Sequence, residues 1–289
     1  MVRFLIICCV LLFSSCMDWV NREVEINMPS HTPRIVLNSL LVDGDEQIRL
    51  RITQSVGMKE SIPMTEGLRN AHIRMNINGN SVEGLRFMAG DNEYRVDHPI
   101  SAGDKVEVSV DVPGFNSVSS STSVPHPSEL LSARFGSAND GMGSVRMREV
   151  FFRIKDIVDD KKYYILKFAQ ESETTPLRTA IQLRSNIQWI VPIYPFNVGF
   201  ESTAFQGESM EFQVLVNDMY FSGNNPDMES YLILETVDKP YYDYQTAFYY
   251  HRNGQRPELF GGEPTPMPTN IINGFGVFGG ASRHMIRIE

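Results

Sequence analysis

From Arg34 onward, apolar and polar residues alternate. In QIRLRITQ, Ile48, Leu50 and Ile52 are interleaved with Arg49, Arg51 and Thr53, the period of two produced by a strand with one buried and one wet face. NAHIRMNI places Ala71, Ile73, Met75 and Ile77 on one face and runs into Asn78-Gly79, a pair that tolerates the positive φ values of a tight hairpin. KVEVSVDV repeats the pattern through Val106, Val108, Val110 and Val112. IVLNSLLV, LRFM, EYRV and FNSVSSSTSV complete the series, separated by the turn signals DGDE, AGDN, SAGD and PG. Roughly seven short strands without a helical period predict an immunoglobulin-like β-sandwich over residues 34–124.

SVPHPSEL, with prolines on both sides of His126, reads as the linker out of this sandwich, and a β-rich domain is expected over residues 125–289. Its strand-like runs are VFFRI, YYILKF, TAIQLRSNIQWIV, EFQVLV and YLILETV, with Asp159-Asp160-Lys161-Lys162 as a turn. DKPYYDYQTAFYYH breaks the period. Asp238 suits a helix cap and Pro240 its first turn, and Tyr241, Tyr244 and Phe248 share one face, so one short helix is expected near 239–251. RPELFGGEPTPMPTN is a crossing segment and RHMIRIE a terminal strand. The fold class is therefore mainly β, a sandwich followed by a second β-rich domain with one short helix.

Ahead of the alternation lies a different pattern. Arg3 precedes ten apolar residues, Phe4–Phe13, the layout of a secretory signal, and too short for a transmembrane helix of roughly 20 residues. Ser14, Ser15 and Cys16 then resemble a bacterial lipobox. Residues 1–15 read as a signal peptide, Cys16 as the acylated N-terminus, and residues 16–33 as a tether in which Trp19 suits the lipid interface. Cys8 and Cys9 would leave with the signal, so stability rests on packing rather than disulfides. A plain secretory signal is the alternative. The chain carries 26 Lys+Arg against 35 Asp+Glu, a formal net charge of −9, which argues against nucleic acid as a partner.

Chemistry-bearing motifs are few. Gly274-Phe275-Gly276-Val277-Phe278-Gly279 spells a dinucleotide fingerprint, but no strand feeds it and no helix follows. A tight β-turn region with Phe275 and Phe278 in the core is expected instead. The six histidines lack metal-ligand spacing, no G-x-S-x-G is present, and Asp43, Asp45 and Glu46 read as a solvated turn. No catalytic residue, metal or cofactor is implied. What remains is aromatic: Trp189, Tyr194 and Phe196 in a proline-broken segment, and Tyr242 and Tyr249 on the helix. These five are the candidate interface, against the alternative that they pack between sheets.

RIVLNSLLVDGDEQIRLRITQS, NAHIRMNINGN, AGDKVEVSVDVPGFNSVSSSTSVPHP, YYDYQTAFYY and PTNIINGFGVFGG, in that order, resemble a family of Bacteroidetes outer-membrane lipoproteins known as domain of unknown function 4249. The segment from Glu171 to Phe200 carries least of the family pattern. The resemblance implies two β-rich parts behind a lipid anchor, held on the outer-membrane bilayer through Cys16, and an accessory role beside a TonB-dependent transporter. It implies no catalytic residues. The expected function is thus non-enzymatic binding or docking on either face of the outer membrane. The alternatives are a structural subunit of adhesin or fimbrial type, with Arg22–Met28 as an exchangeable strand, and an envelope hydrolase with a dispersed site.

Overall fold

The computed structural model describes residues 31–57, 67–140, 146–155, 161–173, 175–204, 211–217, 228–254 and 266–289. The signal peptide, Cys16, Trp19, the Arg22–Met28 segment and most of the tether lie outside the described residues. Pro33–Glu289 form one compact unit.

The first strands are β1 (Ile35–Val42), β2 (Gln47–Gln54), β3 (His72–Ile77), β4 (Asn80–Ser81), β5 (Arg86–Met88), β6 (Glu93–Asp97), β7 (Lys105–Asp111) and β8 (Val118–Ser123). They pair in the orders β1-β2-β6-β5 and β4-β3-β7-β8. Lettered A to G with an extra strand after C, these orders are ABED facing the CFG sheet, the immunoglobulin-like sandwich. Alternation fills the space between the sheets: Leu37, Leu50 and Ile52 meet Met75, Val106 and Val110, all fully buried. Asn78 and Gly79, with φ of 53° and 82°, turn β3 into β4 with Ile77 opposite Asn80.

The second group comprises β9 (Leu130–Asp140), β10 (Arg146–Ile154), β11 (Tyr163–Ser172), β12 (Thr175–Ile181), β13 (Leu183–Arg184), β14 (Val191–Ile193), β15 (Asn197–Glu201), β16 (Glu211–Asn217) and β17 (Glu229–Val237). Helix α1 (Lys239–Gly254) and β18 (Phe275–Arg287) close the chain. The sheet β13-β16-β10-β9 packs over β14-β15-β11-β17-β18 through Phe152, Phe168, Phe200, Phe212 and Leu234. On the opposite face of the larger sheet lies α1, so β11 and β17 are covered on both sides. That explains why YLILETV reads as a continuous apolar run rather than an alternating one. Pro192 confines β14 to three residues at the end of the sheet, where a missing amide is tolerated.

β18 joins the two groups. From Phe275 to Ala281 it runs parallel to β1, and from Ala281 to Arg287 antiparallel to β17. Ala281 is opposite Val42 on one side and Val237 on the other, which merges the sheets into a ten-stranded one. Asn270 reinforces the crossing: its side chain donates to the Phe278 carbonyl at 2.7 Å and accepts from the Phe278 N–H at 3.0 Å. The 125–130 segment is tied to the same strands, because the Ser282 hydroxyl donates to the Pro125 carbonyl, and Ser128 N–H donates to Thr236 Oγ1 at 3.1 Å.

The glycine-rich stretch is therefore a strand, not the expected turn. Phe275 and Phe278 are three apart, which places them on opposite faces of a strand. Phe278 is fully buried, whereas Phe275 is exposed with the Arg34 guanidinium 5.5 Å from its ring centre. The glycines permit contact: a Cβ on Gly276 would lie 2.1 Å from the Leu37 carbonyl oxygen, and one on Gly279 would lie 2.7 Å from Tyr241 Cβ on α1.

Two alanine substitutions separate contact from conformation. Gly276 and Gly79 both have positive φ, but a Cβ on Gly79 meets nothing within 4 Å. Gly79→Ala should cost about 1–2 kcal/mol for left-handed backbone alone, and Gly276→Ala at least about 4 kcal/mol or loss of folding. Urea unfolding midpoints of the two variants check this, and equal shifts would contradict the close packing of β18 on β1.

Candidate functional site

Strand register sets up an unusual carboxylate. On β17, Tyr231, Ile233, Glu235 and Val237 point away from the Phe-rich core, toward the face that carries α1. Glu235 is opposite Ile165 on β11 and Arg283 on β18, and Lys167 lies two residues beyond Ile165 on the same face. Lys167 Nζ and Arg283 Nε both approach Glu235 Oε1, at 2.7 and 2.8 Å. Glu235 is 1% exposed, and its Oε2 has no hydrogen-bond partner. Asn197, at the start of β15 and 8% exposed, likewise has an unpartnered Oδ1.

Both side chains line a groove of about 530 Å³ between α1 and the sheet. Its wall is aromatic. Asp238 caps α1, accepting from Tyr241 N–H at 3.1 Å, and Gly279 lets the helix settle close enough for Tyr241, Tyr244 and Phe248 to line the groove. The Tyr244 and Phe248 rings are nearly parallel, centroids 6.2 Å apart, and Tyr194 meets Phe248 edge-on at 5.0 Å. The Arg252 guanidinium lies 4.7 Å from the Tyr194 ring centre. Asn38 and Arg51, from β1 and β2, line the groove as well. Burial, followed by the Glu235 charge, pushes the Tyr241 phenol up, and burial pushes Tyr244 up. Both rings are neutral at physiological pH.

The expected interface residues divide. Tyr194 belongs to the groove wall. Trp189 is half-buried, edge-on to Phe200 and Phe212 at 6.1 and 5.5 Å, and lines a smaller cleft of about 410 Å³ with Val191, Glu201 and Thr203. Phe196 is 38% exposed beside the β14–β15 turn. Tyr249 is half-buried, edge-on to Tyr250 at 5.5 Å, and does not line the groove. Tyr242 follows the packing alternative: it is 6% exposed and packs against Tyr163 at 5.2 Å, over Gly199, while lining the same small cleft as Trp189. The helix presents Tyr242 to the sheet and Tyr241, Tyr244 and Phe248, which share a face as expected, to the groove. Glu235, Lys167 and Asn197 were not singled out from sequence. The signal was there for Glu235, a lone charge inside LILETV.

A larger cleft of about 1040 Å³ lies between β8 and the start of α1, rimmed by Lys161, Lys162 and Lys239. Three of its cations are engaged: Lys161 pairs with Glu201 at 2.7 Å, Lys239 pairs with Asp243, and Lys162 donates to Ser128 Oγ at 3.2 Å. Burial pushes the Asp238 carboxyl up to about 6, although Thr122, Tyr241 N–H and Gly280 N–H donate to it. Among the described residues, no buried unpartnered side-chain atom belongs to this cleft, and no cluster of His, Cys, Asp and Glu is placed to hold a metal ion. No described helix is long and apolar enough to cross a membrane.

Fold and site together define a class: paired β-sandwiches sharing one sheet, with a helix-covered aromatic groove at the join. The chain belongs to the family described as domain of unknown function (DUF4249), whose model matches residues 21–287. No curated protein sequence matches it. Solved structures similar to parts of it include a β-glucuronidase from Parabacteroides merdae, at 11% identity over 72% of this chain and 23% of that one, TM-score 0.23. The adhesin InvE of Yersinia pseudotuberculosis is similar at 13% identity over 71% and 55% of the respective chains, TM-score 0.21. The chain thus spans about a quarter of the glucuronidase and about half of the adhesin, and at these scores neither likeness carries a functional argument.

The two partners of Glu235 differ in burial, and so should their removal. Lys167 is 21% exposed in its side chain and Arg283 45%. Lys167→Met should cost about 2–4 kcal/mol, because it strips a buried carboxylate of its drier partner, and Arg283→Met about 1 kcal/mol or less. Urea unfolding of both variants reads the difference, and equal costs would contradict the burial argument.

A second expectation concerns pH. With Asp238 near 6 when folded and 3.8 ordinarily, the folded chain holds a proton that the unfolded chain releases. This contribution is complete below pH 3.8 and is lost as pH rises through 6. Asp238→Asn keeps a capping oxygen and does not ionise. The variant should therefore gain on the wild type by about 2–3 kcal/mol between pH 4 and 7, and a pH-independent difference in unfolding free energy would refute the raised value.

Proposed function

We propose that this chain is a lipid-anchored, non-enzymatic binding protein of the outer membrane that serves a TonB-dependent transporter, with the α1 groove as its ligand site. Acyl chains on Cys16 hold the body at the membrane; two lipid signals suffice for stable attachment without a spanning helix. Tethering raises the effective concentration of the groove beside a barrel, so weak contacts with ligand and transporter are enough.

The observation that carries the binding role is Glu235: a carboxylate 1% exposed, fixed by two cations on one oxygen and unpartnered on the other, at the base of an aromatic wall. A concave, mostly apolar site with a few convergent polar groups is the usual form of a small-ligand pocket. A carboxylate clamped between Lys167 and Arg283 is held in place as a hydrogen-bond acceptor, which suits recognition.

The test is to crosslink cells that express a tagged full-length chain, solubilise the outer membrane and identify what co-purifies, with Cys16→Ala as the unanchored control. One TonB-dependent barrel should be recovered with the wild type and lost with the control. Recovery only of further copies of the chain, or of other sandwich lipoproteins, would sink the transporter role and favour a structural subunit.

A further inference from the structure

We infer that the α1 groove binds a neutral saccharide, with a sugar C–H face against the aromatic wall and hydroxyls donating to Glu235 Oε2 and Asn197 Oδ1. The inference rests on the reading of this groove as the ligand site and names what it takes.

The two unpartnered atoms decide the hydrogen-bonding character. Both are acceptors on side chains more than nine-tenths buried, and leaving such atoms unmet carries a desolvation penalty that a ligand relieves only with donors. Both atoms are already shut off from water, so a ligand reaches them only as neighbouring side chains give way, and a purely apolar one gains nothing by it. An anion such as phosphate or a carboxylate would bring acceptor against acceptor.

Charge removes the opposite candidate. A buried carboxylate under aromatic rings is what a cationic ligand ordinarily seeks. Here the Glu235 charge is already met by Lys167 and Arg283, and the charged side chains lining the groove are Arg51 and Lys167 against Glu235 alone. An added cation would enter a site whose positive charges outnumber its negative ones. A neutral donor does not face that repulsion.

Hydroxyl groups also accept, and the groove supplies donors for that role in Lys167, Arg51, Asn38 and Gln245. Tyr244 and Phe248, nearly parallel along the helix, and Tyr194 edge-on to Phe248, give a continuous aromatic surface on which an apolar ligand face is buried at small entropy cost. A ligand that combines adjacent hydroxyl donors, hydroxyl acceptors and one apolar face is a sugar ring. The groove volume of about 530 Å³ lies within the range of small-ligand sites.

The experiment uses the purified full-length chain in detergent and saturation-transfer NMR. The probes are the methyl glycosides of glucose, galactose and mannose, maltotriose and cellotriose, with tetramethylammonium and inorganic phosphate as competitors. At least one saccharide should bind saturably at millimolar concentration or tighter, without competition from either ion, and Tyr244→Ala and Phe248→Ala should each weaken it at least tenfold. Both positions are half-buried on the helix surface, so these variants test the site even where Glu235→Gln fails to fold. The inference is overturned if no saccharide on the panel binds at 20 mM (about 2 kcal/mol of affinity), if either ion displaces the sugar, or if the aromatic variants bind unchanged. Failure here with the barrel still co-purifying removes the ligand class alone. Saccharide binding without a barrel removes the transporter role alone.

Discussion

The double pairing of β18 is the constraint on which the rest depends. The strand pairs with β1 over Phe275–Ala281 and with β17 over Ala281–Arg287, one ladder handing over to the next at Ala281, and Gly279 leaves room for α1. Removing that strand would expose the long apolar edge of β1, the kind of edge native sheets avoid leaving open, and would unseat the helix whose first turn rests on Gly279. The sandwich of residues 35–123 and the sheets that follow are thus joined chiefly by the main-chain ladders of β18, reinforced by the Asn270 side chain. Loops alone would give a hinge; a shared sheet gives a fixed groove.

That fixity matters for Glu235. A carboxylate withdrawn from water is tolerable only with compensating charges in good geometry, and the geometry here comes from register. Arg283 faces Glu235 because Ala281 faces Val237, so the same alignment that joins the sheets delivers one of the two cations. Lys167 comes from the other neighbouring strand, two residues past Ile165. Both cations converge on one oxygen, and the other is buried without a partner. A one-residue slip of β18 would turn Arg283 to the opposite face and leave the carboxylate short of a partner in a dry site.

Much of this fold was legible in the sequence. The period of two across residues 34–124, the Asn78-Gly79 turn, and the Asp238-Lys239-Pro240 helix start all encode local structure, and local structure is what alternation and capping report. What was not legible was long-range. Nothing in PTNIINGFGVFGG says that it pairs with a strand more than 230 residues earlier, and its glycines gave conflicting turn and nucleotide signals until the neighbouring backbone was placed. Tyrosines in a helix of nearly uniform amphipathicity gave no reliable inward face. Spacing set Tyr242 on a different face from Tyr241 and Tyr244 but left contact and packing both open, and it is Gly199 that provides the hollow that draws it in. The groove inherited the same difficulty, since its walls come from β1, β2, β11, β14, β15, β17, β18 and α1.

One local rule is broken in an otherwise consistent chain, and its position is informative. On strand β17 the buried polar residues Ser230 and Thr236 are hydrogen-bonded, and Glu235 is the one buried charge, where an apolar residue would pack beside Ile165 and Val277 without two cations to hold it. Replacing a buried ion pair by hydrophobic residues is often neutral or stabilising, so packing supplies no reason for a charge there. Asn197 breaks the same rule one strand beyond β11: its Oδ1 is buried without a partner, and the residue lines the same groove. Two departures from good core chemistry thus fall beside one aromatic cavity, and a local loss of stability of this kind is what the proposed ligand site would entail.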